Sequence, residues 1–262
     1  PALSADGRWL AYTGRDEHHA EVWLMPAEGG AARRLTWLGA DTQVRGFLPD
    51  GRVLFVSDHG QPFVRHLHAF AVSPDGGLPQ ALPLGQVNHL AFGPGGARLI
   101  GRNTGDPARW KRYRGGTAGQ LWVDASGDGQ FVRLDSAIGN PTCPMWVGDR
   151  LWYLSDAEGV GNLYSCRPDG RDVRRHTDHD DCYARHAATD GLRIVYQCAA
   201  ELWLFDPASD RSERLDIRVP AHRTQSARRR VDVPAHLGDA GDGARRRVDA
   251  RSEGGTSDLQ SQ

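Results

Sequence analysis

The densest concentration of reactive side chains lies between His176 and His186, where three imidazoles share eleven residues with Asp178, Asp180, Asp181 and Cys182. Imidazole, carboxylate and thiolate are the ordinary donors for transition metals, so metal binding is the first chemistry to test. Against it, the segment falls between strand-like stretches, and in an extended chain His176 and His179 diverge instead of facing one ion. The residues read better as a polar connection whose carboxylates pair with Arg174, Arg175 or Arg185, and no metal site is expected.

Two other stretches carry chemical patterns. Asp124-Ala125-Ser126-Gly127-Asp128-Gly129 begins like a calcium loop, and Asp135 falls at the twelfth position. Its flanks, Leu121-Trp122-Val123 and Val132-Arg133-Leu134, are strand-like where a calcium loop needs helices, so a hairpin is predicted. Arg109-Trp110-Lys111-Arg112-Tyr113-Arg114 alternates cations with aromatics, as grooves for single-stranded nucleic acid do. One short loop is not a groove, and a formal net charge of −1 lacks the expected basic surplus, so no nucleic-acid partner is expected. The sequence has no Gly-x-Ser-x-Gly elbow, His-Glu-x-x-His pair or phosphate loop. No catalytic residue is nominated, and no cofactor is expected. Cys143, Cys166, Cys182 and Cys198 are widely spaced without a Cys-x-x-Cys pair, and free thiols in a reducing compartment are predicted.

The elements that must position these residues are repeated. Five times an Asp-Gly-type turn opens into an apolar strand: Asp6-Gly7-Arg8, Asp50-Gly51-Arg52, Gly95-Gly96-Ala97-Arg98, Gly148-Asp149-Arg150 and Asp190-Gly191. The turns lie roughly 42 to 53 residues apart, the period of one four-stranded propeller blade. Both central residues of such turns are expected at positive φ. Third strands follow at Glu21 to Met25, Leu67 to Val72, Gln120 to Val123, Asn162 to Cys166 and Glu201 to Phe205. Short outer strands close each unit, several with an Arg-Leu pair, the last at Arg214-Leu215-Asp216. The fold class is therefore an all-β propeller of four-stranded antiparallel blades, at about 1–38, 44–85, 87–137, 143–178 and 183–217. A sandwich lacks a repeated four-strand unit.

An apolar content of 39% over 262 residues suffices for a core. No apolar run approaches the ~20 residues that cross a bilayer, and a soluble chain without a membrane partner is expected. The chain opens at Pro1, not Met, so the absence of a signal peptide carries no information. From Ser226 the sequence turns Arg-, Gly- and Asp-rich with few apolar residues, and 226–262 is expected to be a disordered or degenerate tail after a propeller spanning 1–225.

Two loop signatures narrow the class. Gly101-Arg102-Asn103-Thr104 with Trp110 to Thr117, and His176-Thr177 with Asp181, Tyr183, Arg185-His186, Thr189-Asp190-Gly191 and Arg193-Ile194, closely resemble the first propeller of tricorn proteases, over roughly Pro1 to Gln225. The resemblance implies a six-bladed ring, here represented by five later blades, followed in the parent protein by a seven-bladed propeller, a PDZ-like module and serine-protease domains. The family's catalytic residues lie far downstream, so no position here inherits them and this segment should be inactive alone. It implies a cytoplasmic, homo-oligomeric parent in which this ring guides peptides to or from a sequestered active site, with peptides and the downstream protease domains as partners. Some members anchor the peptide carboxylate with an Arg pair, where the matching stretch Thr36 to Phe47 holds only Arg45. Inner strands line a propeller tunnel, which nominates Arg45, His89 and Arg185 as channel residues. The rival reading is a free-standing TolB-like or WD40-like propeller acting as an interaction module.

Overall fold

The computed structural model describes residues 1–17, 19–106 and 110–218. Among the described residues, twenty strands form five four-stranded antiparallel sheets, each in simple meander order. Blade 1 holds β1 (Ala2–Leu3), β2 (Trp9–Glu17), β3 (His19–Pro26) and β4 (Arg33–Arg34). Blade 2 holds β5 (Thr42–Phe47), β6 (Val53–Ser57), β7 (His68–Val72) and β8 (Gln80–Gln86). Blade 3 holds β9 (His89–Phe92), β10 (Arg98–Arg102), β11 (Gln120–Asp124) and β12 (Val132–Arg133). Blade 4 holds β13 (Thr142–Val147), β14 (Arg150–Ser155), β15 (Asn162–Cys166) and β16 (Arg174–Arg175). Blade 5 holds β17 (Ala184–Thr189), β18 (Ile194–Cys198), β19 (Glu201–Asp206) and β20 (Arg211–Arg214). These strands lie in one compact unit, Pro1–Leu215; of the second unit only 216–218 are described, and the tail expected from 226 lies outside the described residues.

The Asp-Gly turns are built differently from the expectation. Gly95 and Gly96 are both left-handed as expected, with φ of 65° and 86°, but in the Asp-Gly turns only the glycine is, with φ of 71° at Gly7, 87° at Gly51 and 91° at Gly191. The preceding aspartate acts through its side chain: Asp6 accepts the Arg8 N–H at 3.1 Å, Asp50 the Arg52 N–H at 3.1 Å, and Asp190 the Leu192 N–H at 2.9 Å. The Arg8 and Arg52 guanidinium groups fold back on the same carboxylates at 2.6 and 2.7 Å. An Asx turn followed by a left-handed glycine reverses the chain with one positive φ instead of two.

A second correction concerns blade 5, whose outer strand is Arg211–Arg214, not Arg214 to Asp216. The Arg-Leu pair straddles the end of the paired strand: Arg214 is its last residue, opposite Trp203, and Leu215 N–H just beyond still reaches Leu202 O at 2.8 Å. Leu35 makes the same bond to Val22 O and Leu134 to Leu121 O, at 2.8 and 2.9 Å. The pair thus marks the end of the outer edge, with leucine turned into the core in blades 1 and 3, where Leu35 and Leu134 are buried.

Adjacent blades pack face to face through four apolar clusters. Ala11, Val22, Leu24 and Leu35 meet Val53, Phe55, Phe70 and Val72 between blades 1 and 2. Leu54, Val56 and Val87 meet Leu90 and Ile100 between blades 2 and 3; Leu99 and Leu121 meet Leu151 and Tyr153 between blades 3 and 4. Trp152, Leu154 and Leu163 meet Ile194, Tyr196 and Phe205 between blades 4 and 5. Full burial of one such side chain contributes about 1.5–3 kcal/mol, which makes the seams the main source of stability. In blade 2 every residue of β6 is buried, because its sheet is covered on both faces. At their other edge the first strands gather toward a common hub, β5 against β1 and β13 against both β9 and β17.

Candidate functional site

Each nominated channel residue sits on the first strand of its blade: Arg45 on β5, His89 on β9 and Arg185 on β17. Three of the five first strands carry a bulge: β5 between Val44 and Gly46, β13 between Thr142 and Met145, and β17 between Arg185 and Ala188. A bulge re-aims the side chain at the extra residue. Arg45 Nε donates to Asn88 O at 2.6 Å and its Nη2 to Gln43 Oε1 at 2.7 Å. Both acceptors are neutral, so the guanidinium charge stays uncompensated by direct contact, and burial lowers its pKa. His89 Nδ1 lies 2.8 Å from Thr104 Oγ1; burial, then the Arg45 charge, hold its pKa well below the ordinary imidazole value. The imidazole is therefore neutral at pH 7.

Cys143 joins this group, and sequence reasoning missed it. It occupies the β13 bulge with φ 48°, the Arg45 charge and the Ala187 amide both act on its sulfur, and burial pushes the thiol pKa up. A positional signal existed: Cys143 precedes Gly148, Arg45 precedes Asp50 and Arg185 precedes Asp190 by the same five residues. Asp106, also missed, pairs with Arg185 through both Nε and Nη2, the Nε contact at 2.8 Å. No spacing announces that bond, which joins residues 79 apart.

The bond belongs to a strap. The connection from β10 to β11 leaves blade 3 and lies on blade 4, where Arg112 N–H donates to Asp156 Oδ2 at 2.7 Å and Asn140 Nδ2 to Tyr113 O at 2.9 Å. It then meets blade 5, with Lys111 Nζ 5.3 Å from the Tyr183 ring centre and Asp106 on Arg185. The two loop signatures that singled out a family in the sequence are thus opposite halves of one contact. Cation–π and ion-pair contacts account for the alternating cations and aromatics of this loop among the described residues; Arg109 lies outside them.

Side chains of the histidine-rich run go to several different partners. His179 Nε2 reaches Tyr196 Oη at 3.0 Å, and Asp178 pairs with Arg175 at 3.3 Å. Arg174 pairs with Asp172 and Arg185 with Asp106, outside the run. His176 does something sequence motifs did not announce: its Nε2 is 2.8 Å from Ser165 Oγ and its Nδ1 2.5 Å from Asp210 Oδ1. Serine, histidine and aspartate are connected through the same imidazole nitrogens as in a hydrolytic triad. Here the serine is sealed. Ser165 is fully buried, Arg150 Nε donates to its Oγ at 2.9 Å, and the imidazole lies against Trp152 and Phe205 in the seam between blades 4 and 5. With no approach for a carbonyl, the chain of bonds fastens the β19–β20 turn to blade 4.

The calcium-like stretch is a hairpin between β11 and β12, and its buried Asp124 is taken up by Arg98 at 2.5 Å and by the Gly129 and Asp128 amides. The expectation of four free thiols is corrected. Cys143 and Cys166 are free, but Cys182 and Cys198 form a disulfide, their Cα atoms 6.0 Å apart at the open end of the β17–β18 hairpin. That separation suits a bridge, and Ala184 pairs directly with Cys198 in the sheet. Sequence spacing alone cannot reveal such cross-strand proximity.

Four-stranded antiparallel meanders packed about a polar hub define a β-propeller. The family model for the tricorn protease N-terminal beta propeller domain matches residues 1–211, and the chain belongs to the tricorn protease family through that domain. It is 48% identical over 243 residues to tricorn protease homolog 1 of Streptomyces coelicolor, covering 92% of this chain and 23% of that protein. The crystal structure of the tricorn protease is similar with a TM-score of 0.75 and 33% identity, over 84% of this chain and 22% of that one. A putative TolB from Agrobacterium tumefaciens shares the fold at 16% identity, with a TM-score of 0.62 over 82% of this chain and 78% of that one. The chain spans less than a quarter of the length of these tricorn relatives. Among the described residues, no helix is long and apolar enough to cross a membrane.

Proposed function

We propose that this domain is the non-catalytic channel part of a tricorn-type serine peptidase, guiding peptides to or from an active site carried by other domains of the same protein. The observation that carries this reading is the polar hub: Arg45, His89, Cys143 and the Asp106–Arg185 pair come from the first strands of four blades and one strap. A cation bonded only to neutral oxygens, beside a neutral imidazole, favours extended peptides with acidic groups or a free carboxylate. The protein is cytoplasmic and homo-oligomeric in this reading, with its own protease domains as principal partner. The test uses the full-length protein. Arg45→Glu, His89→Gln and Arg185→Glu should each change the processing rate of long peptides several-fold and leave cleavage of short fluorogenic peptides near wild type. Unchanged processing of long peptides in all three variants overturns the reading.

One observation favours a second reading as an interaction module. Phe63 and Val64 in the β6–β7 connection and Trp110 in the β10–β11 connection are 73%, 84% and 69% exposed, on equivalent loops of adjacent blades. Exposed apolar groups on corresponding loops suit a docking face. Replacing all three with Ser should weaken retention of a separately produced downstream protease segment; binding at wild-type strength removes that face from consideration.

A further inference from the structure

Asp181, Cys182 and Cys198 each bring one donor atom to a common point, one carboxylate oxygen and two sulfurs lying within 4.8 Å of one another. Asp181 is exposed, Cys182 half-buried and Cys198 buried, so the cluster opens to solvent on its carboxylate side. None of its three residues is among the nominated channel residues or the Ser165–His176–Asp210 chain. We propose that, with the disulfide reduced, Asp181, Cys182 and Cys198 bind a thiophilic divalent cation of the Zn2+ class, a water filling the fourth position.

Three considerations support this assignment. Tetrahedral zinc needs donors roughly 3–4 Å apart around a centre ~2.0–2.3 Å from each, which three atoms already gathered within 4.8 Å can meet with side-chain rotation. Two thiolates make the set soft, selecting Zn2+ or Cd2+ over Mg2+ and Ca2+. The scaffold is fixed independently of the sulfurs: Ala184 pairs with Cys198 across β17 and β18, Asn162 holds the preceding loop through His179 O at 2.9 Å, and Cys198 belongs to the seam core. The donors therefore remain close when the sulfurs are not bonded to each other. The histidine-rich run does hold metal-ligand chemistry, with the partner supplied from β18 and not from within the run.

Disulfide and metal exclude one another. Reduction by a dithiol delivers two electrons and two protons to the sulfurs, leaves two thiols, and closes the dithiol into its own disulfide. Cation binding then releases the two thiol protons to solvent, and the thiolates donate to the metal.

The test titrates Co2+ into the complete chain, reduced and freed of reductant without air. The reduced protein should develop a near-ultraviolet thiolate-to-cobalt charge-transfer band at one equivalent, and Zn2+ should displace it. Oxidised protein, Cys182→Ser and Cys198→Ser should lack the band; Cys143→Ser with Cys166→Ser should keep it. Asp181→Asn, at an exposed position that leaves folding intact, should weaken Co2+ binding on the order of tenfold or more. Absence of the band in folded, reduced wild-type protein overturns the proposal, as does its persistence in Cys198→Ser or unchanged affinity in Asp181→Asn. None of these readouts depends on peptide passage, so the result stands apart from the channel reading.

Discussion

At the scale of single residues, the Arg45 and His89 pair determines how the hub responds to pH. The buried imidazole has its pKa depressed, so on acidification the unfolded chain takes up a proton near pH 6.5 that the folded chain refuses. Its contribution to stability is thus complete above about pH 6.5 and is lost as pH falls, by at most about 2 kcal/mol between pH 7 and 5. Denaturant melts at the two pH values should show His89→Gln with a smaller loss than wild type; an equal loss refutes the assignment. Removing the neighbouring charge in Arg45→Met should move the His89 pKa upward, read by NMR titration of the ring. That Arg45 and His89 sit on first strands was legible in the sequence, because the repeat places such a strand just before each turn. It could not give Asp106 or Ser165, whose partners come from other blades and whose own spacing carries no signal.

Among the elements, the four-stranded repeat and the positions of its turns were legible for a local reason: hairpin chemistry and alternation act within a few residues. Gly51 has φ 87° with open space where a Cβ would go, so Gly51→Ala tests backbone conformation alone and should cost about 1 kcal/mol. Gly139 has φ 83°, and a Cβ there would meet Ser155 Oγ at 2.5 Å and Ala157 N at 2.7 Å. Gly139→Ala should therefore cost clearly more than Gly51→Ala in the same chemical-denaturation assay, and the reverse order would contradict the packing described. The outer edge of blade 5 was misplaced because the Arg-Leu pair reads as the middle of a strand, whereas Arg214 ends the strand and Leu215 lies just past it. The disulfide was missed since cross-strand neighbours sixteen residues apart leave no local pattern.

For the molecule as a whole, the end blades differ from the inner ones. In blade 4 every residue of β15 is buried, whereas in blade 5 only Phe205 of β19 is. On blade 1, Leu3 pairs with Leu10 and Leu10 with Met25 away from the blade 2 seam, and Leu3 is 63% exposed. A further blade against these faces should raise the denaturation midpoint, measurable by extending the chain on its N-terminal side; an unchanged midpoint would show the faces to be self-sufficient. The present chain should cleave no peptide, and a fluorophosphonate probe should leave Ser165 unlabelled because the seam excludes it. Labelling of folded protein at Ser165 would overturn that prediction. The strap has a further effect. In an array of repeats each unit is coupled only to its neighbours, so the ends can fray one at a time. Asp106 on Arg185 and Lys111 on Tyr183 tie blade 3 directly to blade 5 over the top of blade 4, which makes those three a single cooperative foldon. Amide exchange should then proceed asymmetrically, blade 1 opening early and alone, and blades 3 to 5 surrendering their protons together.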